Sequence, residues 1–312
     1  MSLHGGDTPV GLLGGGTVGG GWAATYLVRR RPVRLVDPAP GALARLTGYL
    51  GAVWPSVRRT VPDAPDTPPL ELLQLVPVEE LGPVALVHEN VPESVEAKQE
   101  AYRSIEPFVG ADVPVLSSSG GLMPSELQAR MDRPERFVVA HPQNPVYALA
   151  LVEVLAGKAT SADVVEDVLA HLTDLGKRPV LVRREVPGYL TNRLTFAMLR
   201  EAVHLIAEGV VDARGLEDAV VHGITPRLLV GGPLTSLALA GGPDGMRGAM
   251  RSFAPTIEQW WSDLGTPHLD DDVRARLIAA ADEILGDRPI TEVLAARDAA
   301  AVDLAARREP VE

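Results

Sequence analysis

Cysteine is absent from this 312-residue chain, which excludes disulfides, a thiolate nucleophile and Cys-ligated metals. Long apolar runs are absent as well: nothing approaches the roughly eighteen residues of a membrane helix, and Met1 to Asp7 has no hydrophobic signal core. A cytoplasmic protein with no membrane partner is the expectation. Positive charge is scarce, with 29 Lys and Arg against 41 Asp and Glu and a net charge of -12. Binding a phosphate backbone needs the opposite balance, so no nucleic-acid partner is expected. The 7 histidines show no HExxH or comparable ligand spacing, so no metal is expected.

What is present suggests two domains. The length exceeds what one compact core usually holds, and 46% hydrophobic residues suffice for two. Pro9 to Leu13 reads as a buried strand running into Gly14-Gly15-Gly16-Thr17-Val18-Gly19, with a helix over Trp22 to Arg30. Strands then alternate with helices: Val33 to Val36, Val84 to Val87, helix Glu93 to Phe108, Val113 to Leu116, helix Pro124 to Arg130 and Phe137 to Ala140. The strand Leu149 to Leu155, the helix Ala162 to Leu175 and the strand Pro179 to Val182 follow. This is the pattern of an α/β, doubly wound, mostly parallel sheet. The Pro-rich segment Val61 to Pro69 reads as a loop. Beyond Glu185 the strand signals stop, and Leu190 to Glu208, Asp212 to His222 and Asp271 to Leu285 carry helical spacing. The expected division is therefore an α/β domain over 1–184 and an all-helical domain over 185–312, the latter pairing with its copy in a homodimer.

Gly14, Gly16 and Gly19 fit G-x-G-x-x-G, between a strand and a helix. The first glycine permits the turn, the second lets the backbone approach a pyrophosphate, and the third lets helix and strand pack closely. Thr17 and Val18 open the helix whose free N–H groups would meet the phosphates. Asp37 ends the second strand, where a carboxylate binds the adenosine ribose and repels a 2'-phosphate, so the expected cofactor is NAD and not NADP. Arg29, Arg30, Arg31 and Arg34 could offer a cation to that phosphate; they read better as a solvated group at a helix C-terminus.

His141-Pro142-Gln143-Asn144 is followed twelve positions after His141 by Glu153, in a β-rich run. A neutral imidazole can take a hydroxyl proton while hydride leaves the same carbon, provided a carboxylate holds the ring in the right tautomer. The competing reading is a structural histidine at a strand end and a solvated glutamate.

These residues resemble the NAD-dependent L-3-hydroxyacyl-CoA dehydrogenase family, in the branch of L-carnitine dehydrogenase and lambda-crystallin (L-gulonate 3-dehydrogenase). The resemblance runs from LLGGGTVGGGWA through VDPAPGALARL, HENVPE, AHPQNPVYALALVEV, LGKRPV and EVPGYLTNRL to EAVHLIAEGV. AGGPDGMRGAM and IEQWWSDLG look most like the carnitine dehydrogenase side. It implies a Rossmann-type domain, a helical dimerisation domain, and oxidation by NAD of the 3-hydroxyl of a small 3-hydroxy acid or acyl thioester. It places the catalytic base at His141, its carboxylate at Glu153 and a substrate-contacting amide at Asn192, with the reacting carbon between the domains. Glu89 and Lys98 match the acid and lysine around the nicotinamide ribose, and Asn144 matches a structural asparagine of the catalytic loop.

One position departs from the family. The last serine of the family's Ser-(Asn or Ser)-Thr-Ser run, which contacts the substrate oxygen, falls on Gly120 in Ser117-Ser118-Ser119-Gly120-Gly121-Leu122. Three outcomes stay open: Ser119 swings in and joins the site, the substrate fills the space differently, or activity is weakened, leaving an NAD(H)-binding protein. One lost donor near a developing oxyanion means roughly a hundredfold or more in rate. Other candidates have blander readings: His88 as a satisfied strand-end histidine, Trp260 and Trp261 as core or interface, and Asp270-Asp271-Asp272 as a helix start.

Overall fold

The structure, a computed structural model, describes residues 7–61, 63–229 and 231–307. The first half alternates β1 (Val10–Leu13), α1 (Thr17–Leu27), β2 (Val33–Val36), α2 (Ala42–Thr60), β3 (Leu73–Leu75), β4 (Val87–Glu89), α3 (Val95–Ile105) and β5 (Val115–Ser117). It continues with α4 (Pro124–Leu127), β6 (Phe137–Pro142), β7 (Leu151–Ala156), α5 (Ala162–Asp174) and β8 (Arg178–Val182). The strands form one eight-stranded sheet in the order β3-β2-β1-β4-β5-β6-β7-β8. Every described pairing is parallel except β6 with β7. The strand order reverses between β1 and β4, and at such a switch point the strand ends open a crevice for ligands.

The central strands are buried on both faces: every residue of β1, β4 and β5 is buried, including His88 and Glu89 of β4 and Ser117 of β5. Alternate residues divide between the two cores: Val138 and Ala140 of β6 pack with Trp22, Leu46 and Val168, whereas Phe137 and Val139 pack with Tyr102, Leu127 and Tyr189. His141 continues the second set, and its ring meets that of Tyr189 edge-on at 5.6 Å.

Several elements differ from the sequence reading. α1 begins at Thr17, inside the glycine motif, and β4 lies at Val87–Glu89, so His88 and Glu89 belong to the strand. α3 starts after Ser94, whose hydroxyl accepts from Ala97 N at 3.3 Å as an N-cap. α2 and β3 were not expected. α2 holds together through the stripe Leu46, Leu50, Trp54 and Val57, although Pro55 lies inside it.

The chain divides into two compact units, residues 1–193 with 291–312, and residues 194–290. The sequence reading put a boundary at 184/185, but residues 185–193 are bound to the sheet: Glu153 accepts from Leu190 N and Thr191 N, and Tyr189 is buried. The last helix also returns to the first unit, with Val302 in the core around Trp22. Helices run from α6 (Thr191–Ala207) and α7 (Ala213–Asp218) through α8 (Thr225–Leu228), α9 (Pro233–Ala240) and α10 (Gly245–Asp263) to α11 (Asp271–Leu285) and α12 (Ile290–Arg307). The interior of the second unit is thin. Val203, Ala213 and Ala249 are its buried apolar side chains among the described residues, while Phe196, Leu234, Leu239, Trp260 and Trp261 are exposed. No described helix is long and apolar enough to cross a membrane.

Candidate active site

The glycine turn is built around two close backbone approaches. A Cβ on Gly19 would stand 2.0 Å from Gly14 O, and one on Gly14, whose φ is +87°, would stand 2.9 Å from Asn90 O. Neither position accepts another residue without backbone movement. A Cβ on Gly16 would meet nothing within 4 Å, so the turn is open on that side. Thr17 and Val18 begin α1, whose N-terminus has no side-chain cap. Asp37 braces the turn, accepting from Gly15 N at 2.8 Å and from Ala39 N at 2.9 Å. An open glycine turn, an uncapped helix start and a carboxylate at the end of β2 fit the pyrophosphate and ribose of NAD. The arginines do not crowd Asp37: Arg29 donates to Thr25 O and Leu175 O, and Arg34 to Leu81 O.

Glu89 and Lys98 are both buried and bound to each other at 2.8 Å. Glu89 also accepts from Val91 N, Tyr102 Oη and Ser117 Oγ, and Lys98 donates to Val91 O. In this arrangement they hold the β4–α3 turn together. The more exposed partner is Glu93, which the sequence reading passed over. One oxygen of Glu93 accepts from Ser119 Oγ at 2.6 Å and Gly120 N at 2.9 Å, and the other lies 3.3 Å from Lys98 Nζ. Its position just ahead of the α3 N-cap, five residues before Lys98, was the available signal.

His141 and Glu153 stand directly opposite each other in the antiparallel β6–β7 pair. Side chains at such positions project from the same face of the sheet. His141 Nδ1 lies 2.8 Å from Glu153 Oε2. The carboxylate also accepts from Leu190 N at 2.7 Å, Thr191 N at 3.0 Å and Thr191 Oγ1 at 2.7 Å. Burial alone would raise this carboxyl, but the hydrogen bonds from His141, Thr191 and Leu190 outweigh it and hold its pKa at about 2. An ionised acceptor at Nδ1 assigns the ring hydrogen there and leaves Nε2 as the basic nitrogen.

Nε2 faces Gly120, where a Cβ would stand 3.2 Å away and 3.7 Å from Asn192 Nδ2. Asn192 donates one amide hydrogen to Gly120 O at 2.7 Å. Asn192, at the start of α6, therefore belongs to the same cluster as His141. Asn144 is exposed and precedes a cis peptide to Pro145. Ser119 does not take the place of a hydroxyl at position 120. It is buried, donates to Glu93 and accepts from Leu122 N at 3.1 Å and from Tyr189 Oη at 3.3 Å.

The segment between β6 and β7 is pinned from below. Lys177 Nζ donates to Val146 O and, at 3.1 Å, to Leu149 O. It also lies 5.7 Å from the centre of the Trp22 ring. Burial, and then the nearby Arg29 guanidinium, bring this ammonium down to about 7. Trp22 Nε1 donates to Ser118 Oγ at 3.1 Å, and Ser118 Oγ donates to Asn90 Oδ1 at 2.9 Å. His88 is buried, stacked on Trp22 at 4.1 Å and bonded to Tyr26 Oη at 2.8 Å. Burial and His171 lower its pKa, which makes it a neutral core histidine. Asp270 caps α11 through Val273 N, with Asp271 and Asp272 in the first turn.

A dinucleotide turn at the switch point of a doubly wound sheet, with a carboxylate-held imidazole at the end of β6, defines a nicotinamide-dependent dehydrogenase. Residues 9–186 match the NAD-binding domain of 3-hydroxyacyl-CoA dehydrogenase. The chain belongs to the 3-hydroxyacyl-CoA dehydrogenase family and is an NAD-dependent oxidoreductase. It is 37% identical to L-carnitine dehydrogenase of Pseudomonas aeruginosa over 92% of this chain and 89% of that one. It is 38% identical to L-carnitine dehydrogenase of Burkholderia mallei, with coverage of 92% and 89%. Among solved structures, it resembles 5-formyl-3-hydroxy-2-methylpyridine 4-carboxylic acid 5-dehydrogenase, an NAD+ dependent dismutase, with 26% identity, a TM-score of 0.82 and coverage of 97% and 100%. (S)-3-hydroxybutyryl-CoA dehydrogenase from Ralstonia eutropha gives 26% identity, a TM-score of 0.65 and coverage of 81% and 89%.

Proposed function

We propose that this protein oxidises the 3-hydroxyl of a small 3-hydroxy acid or 3-hydroxyacyl thioester to the 3-keto product, reversibly. The observation that carries the reading is the 2.8 Å contact of His141 Nδ1 with the ionised Glu153, which leaves Nε2 free as a base. NAD, when bound, supplies the hydride acceptor. His141 Nε2 takes the hydroxyl proton, and Glu153 stabilises the imidazolium that results. The second amide hydrogen of Asn192 is oriented by the bond of the first to Gly120 O, and it donates to the substrate oxygen as that becomes a carbonyl. Relatives named for L-carnitine make a free acid with a cationic tail the first compound to try. The exposed apolar side chains of residues 194–290 support pairing with a second copy, since so thin an interior leaves most of the apolar surface uncovered.

The test is NAD reduction by purified protein with L-carnitine, 3-hydroxybutyrate, gulonate and a 3-hydroxyacyl-CoA, in wild type and His141→Ala. Turnover of one of them, falling about a hundredfold or more in the variant, is expected. No turnover with any of them, or equal turnover in both proteins, refutes the proposal. Gly120 favours a second reading, an NAD(H)-binding protein with weak or lost turnover. Titration of NADH by its fluorescence separates the two, because tight binding without reduction of NAD supports the second.

A further inference from the structure

Lys177 is a costly residue to bury where it is. Its side chain is 7% exposed, and its ammonium has two carbonyl acceptors and an indole face but no carboxylate partner among the described residues. An uncompensated buried charge is poor stabilisation, so its contacts are the place to look for a role. Val146 and Leu149 both lie in the segment joining the strand that carries His141 to the strand that carries Glu153. The same segment meets α1 at a point that accepts only glycine: a Cβ on Gly21 would stand 2.7 Å from Val146 Cβ.

The indole continues the contact in the other direction. Trp22 reaches Ser118, Ser118 reaches Asn90, and Asn90 N donates to Leu13 O at 2.8 Å, immediately before Gly14. A Cβ on Gly19 would stand 3.4 Å from Asn90 Nδ2, so the amide also borders the third glycine. The segment that joins the two catalytic strands and the cofactor turn are thus held against one row of side chains, buried at Lys177 and Trp22 and half-buried at Ser118 and Asn90.

We infer that Lys177 is a positioning residue: the N–H groups of its Nζ fix the Val146 and Leu149 carbonyls, and through Trp22, Ser118 and Asn90 it keeps His141 in register with the glycine turn. The inference rests on the reading of His141 as the base. It adds that reaction geometry depends on a side chain that touches neither substrate nor cofactor, since displacement by about an ångström can reduce rate about a hundredfold.

The test compares Lys177→Met, which keeps the length and removes the donors, with Lys177→Gln, which keeps a donor without charge. Val168→Ala serves as control, because it opens a cavity in the same core without removing a donor to the 146–149 carbonyls. Three readouts are taken on the full chain: amide exchange of residues 146–150, the titration of the His141 ring by NMR, and kcat and KM with whichever hydroxy acid is turned over. Lys177→Met is expected to speed exchange, to move the His141 titration, and to lower kcat about tenfold or more with KM changed less than about threefold. Lys177→Gln should recover part of each effect, and Val168→Ala should leave the His141 titration and kcat near wild type at a comparable loss of Tm. If exchange and titration in Lys177→Met match the control, the inference is overturned. Should Lys177→Met fail to fold, the same comparison decides in Lys177→Gln. Full turnover in His141→Ala would instead overturn the reading of the base, so the two failures are distinct.

Discussion

Replacing Glu153 with Gln isolates the carboxylate from its shape. One oxygen accepts from His141 Nδ1 and Thr191 Oγ1, the other from Leu190 N and Thr191 N. An amide must turn its NH2 toward one of these pairs. Facing the backbone, it opposes two donors. Facing His141, it favours the tautomer protonated at Nε2, and that nitrogen can then no longer receive a proton. The carboxyl sits at about 2 against an ordinary 4.5, and at about 1.36 kcal/mol per pH unit this is about 3 kcal/mol of stability. The folded-state pKa is depressed, so the contribution is complete above about pH 4.5 and is lost as pH falls toward 2. Denaturant unfolding should show the variant weaker by about 3 kcal/mol at pH 7, with the difference narrowing by about 1.4 kcal/mol per unit below pH 4.5. NAD reduction at pH 7 should fall by about two orders of magnitude or more. A stability difference that does not change between pH 7 and pH 3, or a variant within tenfold of wild-type activity, would refute the reasoning.

Gly19→Ala must displace Gly14 O, 2.0 Å from the new Cβ, so NADH fluorescence titration should show at least about tenfold weaker binding. Asp37→Ser removes the carboxylate that repels a 2'-phosphate, and the ratio of kcat/KM for NADP over NAD should rise about tenfold or more. Gly120→Ser puts a hydroxyl beside Nε2, and kcat for a 3-hydroxy acid should rise, by up to about a hundredfold; an unchanged or lower kcat would mean that position 120 does not limit the rate. Stability of the wild type should rise between about pH 7 and pH 10, because unfolded Lys177 binds a proton there that the folded residue, buried and beside Arg29, has released. Lys177→Met should lack that rise in urea unfolding.

The pairing of His141 with Glu153 was legible because its geometry is local: they are opposite residues of one antiparallel pair, and the turn of the chain between them is short. The glycine turn was legible for a similar reason, with strand, turn and helix contiguous. What sequence did not reveal depends on distant partners. Ser119 read as one candidate to supply the hydroxyl missing at Gly120, because nothing nearby in the chain shows that Glu93 and Tyr189 claim it. α2 carries Pro55, Gly48 and Gly51, which weaken the helical signal, and the packing of Leu46, Leu50, Trp54 and Val57 overrides them. Val302 lies in the core around Trp22 although more than a hundred residues separate it from the last strand, β8, and no periodicity reports which core a late helix joins.

Because the acid and the imidazole face each other across two neighbouring strands, their meeting depends on parity. A single residue inserted or deleted in β7 before Glu153 would rotate every later side chain to the opposite face and carry the carboxylate away from the ring. Length is constrained on the other side of that strand too, because Val146, Tyr147 and Ala148 are buried and Lys177 holds the carbonyls of Val146 and Leu149. Among descendants of this fold, indels should therefore be scarce from Val146 through the strand that carries the carboxylate.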